Sequence, residues 1–338
     1  MCSWQCAAAV AALLTLSSTA YAQAGPAASD RDVMIPAFGF NLAGTLSLPP
    51  GSSGRTRHPA LILVPGSRRV DRDELTAGIP VFAQLAGGLA ERGYVVVRYD
   101  KRGLGKSGGR DERATLDDYA GDVLSVFKWL KKRKDVDKKR ITIAGYGEGA
   151  AVAMIAAARE EDIAALILLA APGGKGSDMV LEQQRHLLDA MNIPEAERDS
   201  KIDLQQRIQL AVLTGVGWDG IPPDVRKQAD TPWFKSLLEF DPAKWISRAR
   251  QPVLIVHGDL DKQVLPHHAD KLGELARQRK RKADVEVVRL PGINHLLVRA
   301  GTGEVSEYRN LKEKIIVPDI ASKIGEFLGR VFAAATND

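Results

Sequence analysis

Ile141-Thr142-Ile143-Ala144-Gly145-Tyr146-Gly147-Glu148-Gly149-Ala150-Ala151-Val152-Ala153 decides how this chain is read. A β-branched strand runs into a glycine-rich turn and then into a helix of small residues. This is the layout of G-x-S-x-G, where a strained strand-to-helix turn presents a reactive hydroxyl. The central position here is Gly147. The turn is present and the attacking atom is missing, so an acyl-enzyme cannot form at residue 147. The same stretch fits G-x-G-x-x-A over Gly145–Ala150, the dinucleotide fingerprint. That motif needs an acidic residue ending the following strand, to hold a ribose. The following strand ends Leu169-Ala170-Ala171, so no nucleotide and no other cofactor is expected.

Working outward, the chain alternates strand and helix on both sides of this turn. A hairpin is expected from Asp32–Phe38 and Asn41–Leu48, closed by Pro49-Pro50-Gly51. Pro59–Val64, Tyr94–Arg98, Ile141–Ala144 and Ala164–Ala170 read as strands. Pro80–Arg92, Thr115–Lys132 and Glu148–Arg159 read as helices. Leu116, Tyr119, Val123, Val126, Phe127 and Leu130 give the second of these its apolar face. Near-continuous apolar strands between helices imply a mostly parallel sheet covered on both faces. The alternation stops at Pro172-Gly173-Gly174. Residues 175–249 read as amphipathic helices broken at Pro194 and Pro222-Pro223, a helical cap inserted into an α/β core spanning 30–174 and 250–335. Strand Val253–His257, helix His267–Lys280, strand Val285–Leu290 and helix Pro318–Phe332 complete it.

Composition sets bounds. The 338 residues are 26% charged and 45% hydrophobic, an ordinary globular balance. No charge occurs before Asp30. Apolar Ala7–Leu16 followed by Ala20-Tyr21-Ala22 reads as a signal peptide over 1–22, with cleavage after Ala22 and export to a periplasm or the medium. The run is too short to span a bilayer, so no transmembrane segment is expected. Both cysteines, Cys2 and Cys6, precede it, so the mature chain has no disulfide, thiol nucleophile or Cys-ligated metal. The net charge of +5 gathers at Lys131–Lys134 with Lys138–Arg140, and at Arg277–Lys282. Each cluster is read at a helix end just before a strand, where cations complement the helix dipole. No aromatic or motif support for nucleic-acid binding accompanies them.

Three loops that leave strand ends carry chemistry. The first is the Gly147 turn. The second is His257-Gly258-Asp259-Leu260-Asp261, and the third Pro291-Gly292-Ile293-Asn294-His295. Nucleophile turn, acid, histidine is the chain order of a hydrolase triad on an α/β sheet. The histidine would take a proton, and the acid would fix its tautomer. Asp259 and Asp261 both qualify; Asp261, further into the loop, is preferred. Adjacent His267 and His268 do not share a helix face, so no metal is expected there. His58, His186 and His257 read as structural. Trp218, Trp233 and Trp245 read as packing residues in or near the cap, with a pocket-lining role open to one of them. Arg98, Asp100 and Arg102 read as a loop-fixing ion network.

At this point the chain resembles bacterial α/β-hydrolases of the dienelactone-hydrolase and serine-aminopeptidase-like type. The resemblance rests on Leu42-Ala43-Gly44-Thr45-Leu46, Asp71-Arg72-Asp73-Glu74, Arg98–Gly109 and Asn294-His295-Leu296, and it covers most of residues 32–332. It implies an eight-stranded α/β-hydrolase fold with a cap over the pocket. It implies cofactor-free hydrolysis of an ester, lactone or thioester, the acid at Asp261 and the base at His295. Oxyanion N–H groups would come from Ser67 and Glu148. Two departures stand out. G-H-S-E-G is replaced by Gly145-Tyr146-Gly147-Glu148-Gly149. Arg68 and Arg69 stand where small or uncharged residues are usual. Tyr146, expected to point away from the base, Ser67 and Thr142 are poor substitute nucleophiles. The expected partner is a small ester-like or carboxylate ligand, bound by a degenerate hydrolase. The alternative is a hydrolase in which the His295–Asp261 pair activates a water.

Overall fold

The computed structural model describes residues 29–52, 56–66 and 71–335. The expected leader, Ser67, Arg68 and Arg69 lie outside them.

The apolar runs become strands with two buried faces. β1 (Ser29–Pro36) and β2 (Asn41–Leu48) form the expected antiparallel hairpin. β3 (His58–Val64) follows. A two-residue hairpin that the sequence reading missed comes next, β4 (Leu75–Thr76) and β5 (Ile79–Pro80). Its turn residues Ala77 and Gly78 both have positive φ, the backbone a tight hairpin turn demands. Then come α1 (Val81–Glu91), β6 (Val95–Tyr99), α2 (Leu116–Lys131), β7 (Val136–Tyr146), α3 (Glu148–Ala157) and β8 (Ala165–Leu169). Thr115 caps α2 in a capping box with Asp118.

The helical insertion follows as α4 (Gly176–Ala190), α5 (Glu195–Thr214), α6 (Pro223–Ala229), α7 (Pro232–Leu238) and α8 (Pro242–Ile246). Pro223, Pro232 and Pro242 each open a helix, where the missing N–H costs nothing. The chain returns as β9 (Val253–Gly258), α9 (His267–Arg277), β10 (Val285–Leu290), a 3-10 turn (Val305–Asn310) and α10 (Asp319–Ala334).

The eight-stranded sheet runs β1-β2-β6-β3-β7-β8-β9-β10, antiparallel at β1-β2-β6 and parallel from β6 to β10. Alternation within strands splits the core into two layers. Ala60, Ile62 and Val64 pack with α2, α3 and α9 residues such as Phe127, Met154 and Leu272. Leu61 and Leu63 pack on the other face with Phe82, Leu85, Ile324 and Phe327 of α1 and α10. Every residue of α3 is buried, which explains a helix of alanines with no polar face. The insertion has a small core of its own around Ile208, Val212, Trp218 and Leu238.

One expectation needs correction. Lys138–Arg140 lie inside β7, not at a helix end. β3 pairs His58 with Val136 and Ala60 with Ile141, so three extra residues bulge out of β7. Asp137 holds that bulge through the Lys139 N–H at 3.0 Å and Arg140 Nε at 2.6 Å.

Asp71-Arg72-Asp73 ties the loop after β3 to β6. Arg72 grips buried Asp100 with Nε at 3.2 Å and a terminal nitrogen at 2.8 Å. Arg98 reaches Asp73, Asp30 and Ser47, and Arg102 takes Asp122 and Asp118. These are the loop-fixing contacts expected of Arg98, Asp100 and Arg102.

Candidate active site

The parallel strands β3, β7, β9 and β10 all end on one edge of the sheet, where ligand crevices form in open α/β sheets. Gly66, Gly147, Asp261 and His295 follow those four strands.

At the tip of the β7–α3 turn Gly147 has φ 53° and ψ −120°. This strained, positive-φ backbone is open to glycine and disfavoured for other residues. The flanking glycines are fixed by contact instead. A Cβ on Gly145 would lie 2.3 Å from the Gly149 carbonyl oxygen, and one on Gly149 would lie 2.2 Å from that of Val64. Gly147 has room: a Cβ there would sit 3.7 Å from His295 Nε2. The Gly147 N–H is held by the Leu169 carbonyl at 3.0 Å. Glu148 is the first residue of α3, so its N–H is among those a helix start leaves without an intrahelical partner.

His295 Nδ1 lies 2.8 Å from Asp261 Oδ2, which leaves Nε2 facing Gly147. Asp261 is fully buried, and its Oδ1 accepts the Gln263 and Val264 N–H groups at 2.9 and 2.8 Å. Asp259 is turned away onto Arg289. His257 sits beneath, donating Nε2–H to the Val264 carbonyl at 2.8 Å, with Asp261 Oδ2 at 3.4 Å. Burial pushes its pKa down, so it is a neutral support.

Tyr146 does not point away from the base. Its ring packs on the His295 ring, centroids 5.1 Å apart, and its hydroxyl donates to the His295 carbonyl at 3.0 Å. Burial raises its pKa well above the ordinary tyrosine value. Tyr146 is therefore a fixed brace for His295, with no phenolate to offer as a nucleophile.

Two residues at the site, Lys101 and Glu74, escaped sequence reasoning. Glu148 Oε1 lies 3.3 Å from Lys101 Nζ, and Oε2 accepts the Trp233 indole N–H at 2.9 Å. Of the three tryptophans weighed, Trp233 is the one from the insertion that meets the turn. Glu74 accepts the Gly66 N–H at 3.2 Å. The Asp71–Glu74 stretch marks the loop as unusual, but nothing local shows that Glu74 folds back under Gly66.

Glu182 of α4 reaches across to His268 Nε2 at 2.5 Å and His267 Nε2 at 3.3 Å. These ligand-type atoms lie within 4.8 Å of one another, a grouping that adjacent histidines alone do not reveal. The Gly173 N–H donates to His268 Nδ1 at 3.2 Å, which places the ring proton on Nε2, aimed at Glu182. A cation on Nε2 would displace that proton and leave the buried Gly173 N–H without its acceptor. The trio fits a clasp between α9, the entry to the insertion and α4.

No helix among the described residues is long and apolar enough to cross a membrane.

Comparison with known proteins agrees with the fold. The serine aminopeptidase S33 family model matches residues 78–200, which include the Gly147 turn. Esterase EstD of Thermotoga maritima is 27% identical over 286 residues, covering 83% of this chain and 64% of its own length. The chain thus spans just under two thirds of that relative. Among solved structures, Est1E from Butyrivibrio proteoclasticus with ferulic acid bound superposes with a TM-score of 0.55. It is 22% identical and covers 89% of this chain and 99% of its own. The α/β hydrolase GrgF from Penicillium sp. sh18 gives a TM-score of 0.59 at 21% identity, covering 90% and 99%.

Proposed function

We propose that the pocket of this chain, which has the α/β-hydrolase fold and a serine aminopeptidase S33-like central stretch, binds a small ester-like or carboxylate ligand without forming an acyl-enzyme. The observation that carries this reading is Gly147. It occupies the tip of the turn in the backbone of a presented nucleophile, and it has no hydroxyl to present. The His295–Asp261 pair and the Glu148 N–H then form a binding site for a carbonyl or carboxylate oxygen. The helical insertion, residues 175–249, serves as the cap. Similarity to an esterase supports ester-like chemistry for the ligand. The leader, residues 1–22, directs export to the periplasm or medium. N-terminal sequencing of the protein recovered outside the cytoplasm checks this, with Gln23 expected first.

The test of the main reading is a fluorophosphonate probe, which reports an activated serine. Wild type is expected to stay unlabelled, and stoichiometric labelling at any serine refutes the proposal. A second reading is favoured by the space between Gly147 and His295 Nε2. A water there could be activated by the His295–Asp261 pair, giving a cofactor-free hydrolase. Hydrolysis of p-nitrophenyl butyrate by wild type, abolished in His295→Ala, would select that reading over the first.

A further inference from the structure

Behind the Gly147 turn, three ionisable side chains from separate segments meet out of solvent. Lys101 follows β6, Glu148 opens α3, and Glu74 lies in the loop after β3. Their exposures are 6%, 8% and 3%. Glu74 is held at φ +54°, a left-handed backbone that costs a glutamate energy. It is seated against Gly66, where a Cβ would fall 2.9 Å from Glu74 Oε1. A strained, buried acid beside a second buried acid needs a physical reason.

Charge supplies one. The cluster holds one ammonium and two carboxyl groups. Burial pushes Glu74 up to about 8, against the pull of Lys101 and the Gly66 N–H; Glu148 and Asp71 push in the same direction as burial. Lys101 faces Glu74 from the β6 end, Glu148 from α3, Tyr146 from β7, and Asp71 from its own loop. With Glu74 protonated, the Lys101–Glu148–Glu74 group is neutral.

The cluster reaches the start of α3, which would supply one oxyanion donor, and Gly66 just past the end of β3. Glu148 itself carries that donor N–H. Gly66 immediately precedes Ser67, and its own N–H is spent on Glu74. We propose that Glu74 is a positioning residue for the pocket, fixing the Gly66 turn and keeping the ground behind the donors neutral, so that an anionic oxygen is held while Glu74 keeps its proton and is released as Glu74 ionises. The anionic oxygen is that of a carboxylate or of a tetrahedral ester adduct. This inference rests on the oxyanion part of the functional reading above. Its sign follows directly: raising pH through about 8 turns a neutral cluster into one of net −1. A like charge gained in this buried cluster, beside the Glu148 that would supply a donor, weakens anion binding by about tenfold or more.

The experiment has two arms. In Gly147→Ser, the pH profile of kcat/KM for p-nitrophenyl acetate is expected to fall about tenfold from pH 7 to 9. In Gly147→Ser with Glu74→Gln it should stay level, because the amide still accepts the Gly66 N–H but cannot ionise. An alkaline limb unchanged by Glu74→Gln overturns the proposal. In wild type, butyrate binding is measured by calorimetry at pH 7 and 9, with weaker binding expected at pH 9. If Gly147→Ser is inert, the nucleophile-replacement reading fails by itself, and the wild-type arm decides this one. Equal butyrate affinity at both pH values, or no butyrate binding at pH 7, overturns it. The wild-type arm also decides if Glu74→Gln does not fold.

Discussion

Replacing Gly147 by serine should turn this protein into a serine esterase, and the structure sets the size of the effect. A Cβ at residue 147 lies 3.7 Å from His295 Nε2. An Oγ about 1.4 Å beyond that Cβ can reach Nε2 at about 2.8 Å with an angle at oxygen near 120°, good hydrogen-bond geometry. Asp261 already holds the other ring nitrogen at 2.8 Å, so the base is oriented before the serine arrives. In worked serine-hydrolase cases the nucleophile accounts for about 10⁶ in kcat. A site not tuned around its serine should recover less, and we expect a gain of at least about 10³-fold over wild type. The substitution also has a structural cost. A serine at φ 53° should destabilise the fold by about 1–3 kcal/mol, visible as a lower melting temperature. The assay is initial-rate hydrolysis of p-nitrophenyl acetate, with fluorophosphonate labelling and with His295→Ala in the serine background as control. A folded Gly147→Ser that neither turns over nor labels refutes the reasoning. It would mean that the oxyanion donors are not assembled around the turn.

Other consequences are as direct. In the Gly147→Ser background, Asp261→Asn should lower kcat by about 10³–10⁴, because an amide facing His295 Nδ1 forces the wrong tautomer; steady-state kinetics check this. Arg72→Ala should destabilise the protein by about 3 kcal/mol in denaturant unfolding, since it strands the buried Asp100 carboxylate without its bidentate partner. Stability should also fall as pH rises from about 4.5 to about 8, with a slope approaching about 1.4 kcal/mol per unit from Glu74 alone. The unfolded glutamate gives up its proton near its ordinary value of 4.5 and the folded one at about 8, so the folded state binds more protons across that window. Glu74→Gln should remove this contribution, and urea unfolding at pH 5, 6.5 and 8 measures it.

Much of the architecture was written locally in the chain. Apolar runs bounded by glycine and proline set the strands, and helical periodicity set α2. Proline and glycine punctuation marked the insertion, and the Gly145–Gly149 turn marked the sheet edge where Asp261 and His295 meet. These signals survive in a single sequence because backbone sterics and burial of one face act over a few residues at a time. The boundaries that moved did so for tertiary reasons. β7 starts five residues before Ile141 because Val136 pairs with His58 across a bulge, and no local propensity encodes that partner.

The sequence alone established that residue 147 offers no hydroxyl, that an acid and a histidine follow in hydrolase order, and that the resemblance pointed to an α/β-hydrolase fold. Tertiary structure decided which aspartate meets the histidine. Asp259 and Asp261 are two residues apart, and only the path of the loop turns one to Arg289 and the other to His295. It also decided that Tyr146 braces His295, that Trp233 crosses from the insertion to Glu148, and that Glu74 folds under Gly66. Each of these contacts joins segments that the chain keeps apart, and three-dimensional packing supplies both the distance and the low-polarity surroundings that give a buried carboxyl its proton.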